Sequence, residues 1–160
     1  MDRLITPWRR EYVTSGSPAP GCVFCGAAEG RDGAEELVVH RGQANFVVMN
    51  LYPYGAGHVM VAPYRHVGRL AAATPEELGE MMTLAREVER VFTEVYRPDG
   101  INLGMNLGRA AGAGIVDHIH LHLVPRWYGD SNFMTAVGET RVIPEDPVEA
   151  CARLRTHFAR

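Results

Sequence analysis

The spacing of apolar residues after Thr74 predicts the clearest helix of the chain. Apolar positions recur there every three or four residues, which places them on one face of an α-helix. These positions are Leu78, Met81, Met82, Ala85, Val88, Val91, Phe92 and Val95. Thr74 is a capping residue, Pro75 stands at the first helical position and Glu77 completes a capping box, so the helix is expected to begin here. The Arg-Pro-Asp-Gly run at residues 97–100 is expected to end it.

Short apolar runs, separated by Pro and Gly residues, predict five strands around this helix. The runs cover residues 36–41, 45–50, 58–63, 101–107 and 117–125. A second, short helix is predicted at residues 147–158. Because strands predominate around one long helix, we expect an α+β fold with a mainly antiparallel sheet.

The length of 160 residues, 46% of them hydrophobic, predicts one domain with its own core. Within this domain we expect an N-terminal arm at residues 1–20, a core at 21–145 and a C-terminal segment at 146–160. Sixteen Lys and Arg residues against 19 Asp and Glu residues give a net charge of −3. This balance argues against nucleic acid as a partner, because no basic excess is available to hold its phosphates.

The compartment is expected to be the cytoplasm. Residues 1–10 are too polar for a signal peptide, and the apolar runs are too short for a membrane span. Three cysteines, an odd number, fit a reducing compartment better than a disulfide framework.

Three histidines alternate with aliphatic residues in the last predicted strand. Side chains of a strand alternate between its two faces, so His118, His120 and His122 are expected on one face and the aliphatic residues in the core. Two chemistries fit such a row. Two or three imidazoles could bind a catalytic zinc ion, or the central His120 could act as a nucleophile tuned by its neighbours.

The segment before the row contains amide and glycine residues that suit an anion. Asn106 and the Gly/Ala-rich loop at 108–114 offer amide donors and close approach of the backbone. Backbone N–H groups arranged in this way favour anionic oxygens. A nucleophilic imidazole beside an anion-binding loop indicates phosphoryl or nucleotidyl transfer.

The His-Ile-His-Leu-His-Leu-Val run at residues 118–124 resembles the signature of the histidine triad (HIT) family, in which histidines alternate with apolar residues. Residues 53–63, with a proline, a Gly-His pair and a strand ending in proline, resemble the second signature of that family. The flanks at 8–12 and 124–134 resemble the bacterial diadenosine tetraphosphate phosphorylase-like branch. The resemblance implies the HIT-like fold, with an antiparallel sheet, one long helix and a short C-terminal helix.

The resemblance implies a role for each catalytic histidine. His120 would attack the α-phosphorus of a nucleotide and form a nucleotidyl-imidazole. His122 would contact the phosphate oxygens, and His58 would support the nucleophile. No metal would be required for this chemistry.

The resemblance also implies the contacts to the nucleotide. Asn50 would hold the ribose hydroxyls, Asn106 the phosphates, and the loop residues their remaining oxygens through backbone N–H groups. These loop residues are Gly112, Ala113 and Gly114. Many family members carry Gln or Ser in this loop, and its replacement by Ala and Gly is compatible with an acceptor such as phosphate.

The implied reaction is cleavage of dinucleoside polyphosphates such as diadenosine tetraphosphate, with phosphate or water as the acceptor. Three alternatives stay open: hydrolysis of nucleoside phosphoramidates or adenylylated molecules, nucleotide binding without catalysis, and a three-histidine zinc hydrolase or lyase. The resemblance further implies a homodimer that pairs through the long helix and a sheet edge.

Cys22 and Cys25 have the two-residue spacing of a zinc half-site. Residues 26–33 are not predicted to be helical, which disfavours a thioredoxin-like redox pair. The second half-site comes from the resemblance, which implies His66 and His118 as the other two ligands. A closed Cys2His2 site of this kind would hold a structural zinc ion.

A few other residues are weaker candidates. Arg126 is either a polyphosphate contact or a surface arginine, and the two tryptophans either stack on a base or close a subunit interface. Cys151 is predicted to be a packing residue, and His40 and His157 receive no role.

Overall fold

The computed structural model describes residues 21–130 and 143–158, and a five-stranded antiparallel sheet lies at its centre. The strands are β1 (Val38–Arg41), β2 (Asn45–Met49), β3 (Val59–Pro63), β4 (Gly100–Gly104) and β5 (Leu121–Arg126). Their order across the sheet is β1-β2-β3-β5-β4. The predicted α+β class with a mainly antiparallel sheet is confirmed. The predicted arm at residues 1–20 and the flank at 131–134 lie outside the described residues.

Within the described residues three α-helices accompany the sheet: α1 (Val23–Glu29), α2 (Pro75–Val95) and α3 (Pro147–Phe158). Helix α2 begins as predicted, because the Glu77 backbone N–H donates to Thr74 Oγ1 at 3.2 Å and the Thr74 N–H donates to Glu77 Oε2 at 2.7 Å. Short 3₁₀ turns occur at Arg31–Leu37, Leu70–Ala72 and Arg109–Ala111.

The sheet buries apolar side chains on both faces. On one face α2 and α3 cover strand residues such as Val61, Leu121 and Leu123. On the other face α1 packs Phe24 and Ala27 against residues of β2 and β3. Burial of a large aliphatic or aromatic side chain contributes roughly 1.5–3 kcal/mol to the free energy of folding. The two clusters therefore hold the helices against the sheet that contains the histidine-bearing strand.

The histidine-bearing strand is shorter than predicted at its start. It begins at Leu121 rather than at residue 117, because the preceding residues leave the strand ladder. The Ile119 N–H donates to the Val67 carbonyl at 2.7 Å instead of to a neighbouring strand. The segment that carries His118 and His120 therefore runs beside the 64–68 connection, which follows β3.

The prediction that residues 26–33 are not helical is wrong. Helix α1 spans Val23–Glu29 and is capped by Gly30, whose φ is +68°. The first 3₁₀ turn follows directly. Its seven residues are too few to show a hydrophobic period. Burial of Phe24 and Ala27 on the sheet stabilises the helix instead.

The two edges of the sheet differ. At β1 the Arg155 guanidinium of α3 donates from Nε to the Val38 carbonyl at 2.6 Å and covers the edge. Strand β4 is largely exposed, and Leu103 there keeps 50% of its surface in solvent. No helix among residues 21–130 and 143–158 is long and apolar enough to cross a membrane.

Candidate active site

The three histidines of the row are buried on the side of the sheet that faces α1. Each of these residues keeps 9% or less of its surface exposed, and the His120 and His122 ring centroids lie 4.8 Å apart. Leu121 and Leu123 point to the opposite side and join the core under α2. The structure therefore separates imidazoles from aliphatic residues as the alternation predicts.

His120 has its Nδ1 bound to the backbone. The His118 carbonyl lies 2.9 Å from this nitrogen, and since a carbonyl only accepts, Nδ1 carries the proton and donates it. Burial lowers the pKa of His120 and outweighs the opposing effect of that hydrogen bond. Nε2 is thus left with an unprotonated lone pair, the form that a nucleophile requires.

A chain of hydrogen bonds fixes the tautomer of His58. Its Nδ1 accepts from the Tyr54 backbone N–H at 3.0 Å and from the Asn50 Nδ2 at 3.4 Å. The orientation of the Asn50 amide follows from its Oδ1, which accepts from the Tyr52 N–H at 2.9 Å. Because two donors meet at Nδ1, His58 carries its proton on Nε2.

The same chain determines where His122 carries its proton. His58 donates from Nε2 to His122 Nδ1 at 2.9 Å, which leaves the His122 proton on Nε2. Burial, together with the neighbouring His120, lowers the pKa of His122 to about 4. At neutral pH His122 is therefore an uncharged hydrogen-bond donor beside His120.

Four residues near the start of the row form a cluster with metal-ligand chemistry. The donor atoms of Cys22, Cys25, His66 and His118 all lie within 4.8 Å of one another. His118 Nδ1 is 3.2 Å from Cys22 Sγ, and His66 Nδ1 is 3.4 Å from Cys25 Sγ. A tetrahedral zinc ion places S and N ligands about 3.5 Å apart. The donor set and its spacing therefore fit a metal ion.

The ring of His118 is oriented for this cluster. Its Nε2–H donates to the Pro63 carbonyl at 2.9 Å, which leaves the Nδ1 lone pair directed at the two sulfurs. A hydrogen bond from the other ring nitrogen to a carbonyl orients metal-binding imidazoles in this way. His66 comes near because its segment runs beside the row, where a Cβ on Gly68 would lie only 3.0 Å from Asp117 Cα.

The three-histidine metal site considered as an alternative does not form. Among the described residues, the cluster of Cys22, Cys25, His66 and His118 is the one group with metal-ligand geometry. His118, which a three-histidine site would need, directs Nδ1 at Cys22 Sγ and donates from Nε2 to the Pro63 carbonyl, so neither of its nitrogens faces the other two histidines.

A family model for the HIT domain matches residues 32–128, which is more than half of the chain. The chain belongs to the HIT domain family. A protein of Mycobacterium tuberculosis named AP-4-A phosphorylase is 40% identical over 168 aligned residues, covering 100% of this chain and 86% of that protein. The asymmetrical bis(5'-nucleosyl)-tetraphosphatase of Schizosaccharomyces pombe is 38% identical over 93 residues, covering 58% of this chain and 50% of that protein.

Solved structures agree with this assignment. A zinc-bound histidine triad family protein from Mycobacterium smegmatis superposes with a TM-score of 0.71 at 30% sequence identity. The match covers 87% of this chain and 94% of that one. The expected HIT-like fold is confirmed.

The loop residues of this HIT domain lie between β4 and the histidine row. Asn106 is half-buried, two residues after Gly104, which pairs with His122 in the ladder. The Gly112 N–H donates to the Arg109 carbonyl at 2.9 Å and the Ala113 N–H to the Gly108 carbonyl at 3.3 Å, both within the loop. Contacts of these residues and of Gly114 with phosphate stay a prediction.

The weaker candidates have partners of their own. Arg126 binds Asp130 with Nε at 2.5 Å and Asn102 with Nη1 at 2.7 Å, so its guanidinium is already engaged. The Trp127 and Tyr96 rings pack edge to face, with their centroids 6.0 Å apart. Cys151 is fully buried in α3, in agreement with its predicted packing role.

Two aromatic residues of the site were missed by the sequence analysis. The centroid of the Phe24 ring lies 5.1 Å from that of His118 and 4.7 Å from that of His120. The centroid of the Tyr54 ring lies 4.6 Å from that of His58. Phe24 lies between the two cysteines and Tyr54 within the Pro-Tyr-Gly loop, so proximity to a motif was the available signal.

Proposed function

We propose that this HIT domain chain cleaves dinucleoside polyphosphates through a covalent nucleotidyl-histidine on His120. One observation carries the proposal: His120 Nδ1 is committed to the His118 carbonyl, so an unprotonated Nε2 remains on a largely buried ring beside His122. The names of the relatives from Mycobacterium tuberculosis and Schizosaccharomyces pombe support this substrate class.

In the first step, His120 Nε2 attacks the α-phosphorus. A P–N bond forms and the P–O bond to the departing nucleoside polyphosphate breaks, which with diadenosine tetraphosphate releases ATP. The Nε2–H of His122 donates to a phosphate oxygen as negative charge develops. Because the pKa of His122 is lowered to about 4, the ring serves as a neutral donor throughout the neutral range.

In the second step, an acceptor oxygen attacks the same phosphorus and the P–N bond breaks. His120 regains its lone pair. Phosphate as acceptor yields ADP, and water yields AMP. Full-length similarity to a protein named as a phosphorylase favours phosphate, while similarity over about half of the chain to a named tetraphosphatase supports water as the second candidate.

Nucleotide contacts are proposed for Asn50, Asn106 and the loop residues Gly112, Ala113 and Gly114. Asn50 directly follows β2, and its Nδ2 lies 3.4 Å from His58 Nδ1, so the amide lies close to the histidines of the site. A ribose bound there would share the Asn50 amide with its present partners, Tyr52 and His58. The loop would offer its N–H groups after a change in its internal turn.

We propose that the metal cluster holds a structural zinc ion. Cys22, Cys25, His66 and His118 would hold it, and a closed set of four ligands supplies rigidity instead of an open position for chemistry. The zinc-bound relative from Mycobacterium smegmatis supports the choice of metal. Reduced thiols at this site fit the cytoplasmic location that we also propose.

We further propose a homodimer. No other described strand pairs with the outer edge of β4. This edge and two exposed apolar side chains, Leu103 on β4 and Met82 on α2, support pairing of two copies. Burial of the free β4 edge would satisfy its exposed backbone groups.

The function is tested by incubating the protein with diadenosine tetraphosphate, with and without phosphate, and identifying ADP or AMP. A reaction with radiolabelled substrate, quenched in denaturant at alkaline pH because acid hydrolyses the P–N bond, is expected to trap a nucleotidyl adduct in the wild type and none in His120→Ala. Turnover that persists in His120→Ala would overturn the covalent mechanism.

A further inference from the structure

The segment before α3 makes a polar contact with the loop that precedes His58. Glu145 Oε2 accepts from the Gly57 backbone N–H at 3.1 Å and from the Tyr96 hydroxyl at 2.8 Å. Its other oxygen forms an ion pair with the Arg153 guanidinium. The Glu145 side chain is only 13% exposed, so these bonds lie mostly out of solvent.

The remaining contacts make the group a closed cluster. Arg153 lies over the Tyr96 ring, with its Cζ 5.0 Å from the centroid, and donates from Nη2 to the Tyr96 hydroxyl at 3.2 Å. We call Gly57, Tyr96, Glu145 and Arg153 the Glu145 cluster. Its members come from four places in the fold: the loop before β3, the end of α2, the segment before α3, and α3 itself.

Gly57 has little freedom within this cluster. It is buried, its φ is +69°, and an added Cβ would lie 2.9 Å from Tyr96 Cε2 and 3.0 Å from Pro125 Cγ. The next residue is His58, whose Nε2 donates to His122 Nδ1 at 2.9 Å. A shift of the Gly57 backbone therefore changes the one hydrogen bond that directs the His122 proton to Nε2.

We propose that Glu145 is a positioning residue: by holding the Gly57 N–H it aligns His58 with His122 and so completes the site from the C-terminal segment. The inference rests on the proposed function for its consequence in catalysis. Its structural part concerns the His58–His122 bond alone and stands independently of any substrate.

The test compares Glu145→Ala with Glu145→Gln. Loss of the acceptor in Glu145→Ala is expected to slow formation of the His120 adduct at saturating substrate by about ten- to a hundredfold, because small misplacements of catalytic groups have effects of this size. The KM is expected to change much less than kcat. Glu145→Gln keeps an oxygen for the Gly57 N–H and is expected to restore most of the rate.

Glu77→Gln is the matched control. Glu77 is similarly buried, with an 8% exposed side chain and an ion pair to Arg65 at 2.7 Å. It lies at the opposite end of α2 from Tyr96, roughly 28 Å along the helix. This variant is expected to lose stability without slowing adduct formation by the folded enzyme.

The ¹⁵N chemical shifts of the imidazoles report their tautomers directly. Glu145→Ala is expected to move the His122 signals away from the wild-type Nε2–H form, while Glu77→Gln leaves them in place. Unchanged His122 signals, a rate no lower than that of the control, or a Glu145→Gln variant as slow as Glu145→Ala would each overturn the inference. If the wild type forms no adduct, the proposed function fails, and the nitrogen shifts still decide the role of Glu145.

Discussion

His118 and His120 stand two residues apart, and both are buried, yet they present opposite ring nitrogens. His118 donates from Nε2 to the Pro63 carbonyl and turns Nδ1 to the sulfurs of the metal cluster. His120 donates from Nδ1 to the His118 carbonyl, which leaves Nε2 unprotonated. The nearest backbone acceptor, rather than the residue type, decides which ring nitrogen each imidazole presents, and therefore whether it suits the proposed metal site or the proposed nucleophilic role.

The two ends of the row are also joined. The carbonyl that fixes the His120 tautomer belongs to His118, a residue of the metal cluster. The Phe24 ring lies between the cysteines in sequence and contacts both histidines. Rigidity at the Cys/His cluster thus reaches His120, the proposed nucleophile, through one peptide unit and one aromatic ring.

The largest expected effect separates the two histidines. His120→Ala is expected to abolish the adduct and to lower turnover by about four orders of magnitude, because the attacking atom is lost. Its metal content should stay that of the wild type, whereas His118→Ala should lose the metal. Elemental analysis measures the metal content of both variants, and single-turnover assays measure their adduct formation. A His120→Ala protein that lacks metal would contradict the separate roles proposed for His118 and His120.

Cys22→Ser tests the metal end alone. Loss of one thiolate is expected to remove zinc and to lower the free energy of unfolding by at least about 3 kcal/mol, as for other structural metal sites. The kcat of the folded fraction should fall far less than in His120→Ala. Denaturant unfolding and metal analysis provide the measurement, with Cys151→Ala as the control that retains zinc. Wild-type protein that contains no zinc when purified without chelator would contradict the site.

The pH dependence of stability tests the neutral state of the row at His122. Unfolded His122 binds a proton near pH 6.5, but the folded residue does so only near its lowered pKa of about 4. Between these values the unfolded state holds more protons, so stability falls as the pH drops. The loss reaches about 3 kcal/mol for this residue.

Urea unfolding of wild type and His122→Gln between pH 7 and 4 measures this contribution as the difference between the two profiles. Other titrating groups are shared by both proteins and cancel in the comparison. Parallel profiles would mean that His122 titrates normally in the folded protein.

The smallest effect concerns Asn50, which donates to His58. Asn50→Ala is expected to lower kcat about fivefold, equivalent to the roughly 1 kcal/mol of one hydrogen bond. If the amide also holds the ribose, KM rises in the same variant, so steady-state kinetics separate the two roles. Unchanged kcat and KM would exclude both.

Much of the fold could be predicted from short-range pattern. The capping box at Thr74 and the period of α2 depend on neighbours in sequence, and the structure reproduces both. Helix α1 was missed because its seven residues owe their order to packing on the sheet. The start of β5 was misplaced because its preceding residues pair with Val67, a partner that local pattern does not reveal.

The sequence by itself determined which residues could share a face, since alternation along an extended segment follows from backbone geometry. It also determined that three imidazoles and two thiols were available. The tertiary structure alone decided which nitrogen of each ring is free, because that choice depends on partners distant in the chain. Pro63 is separated from His118 by 55 positions in the sequence, and Cys22 by 96. Folding brings both within hydrogen-bonding distance of the His118 ring.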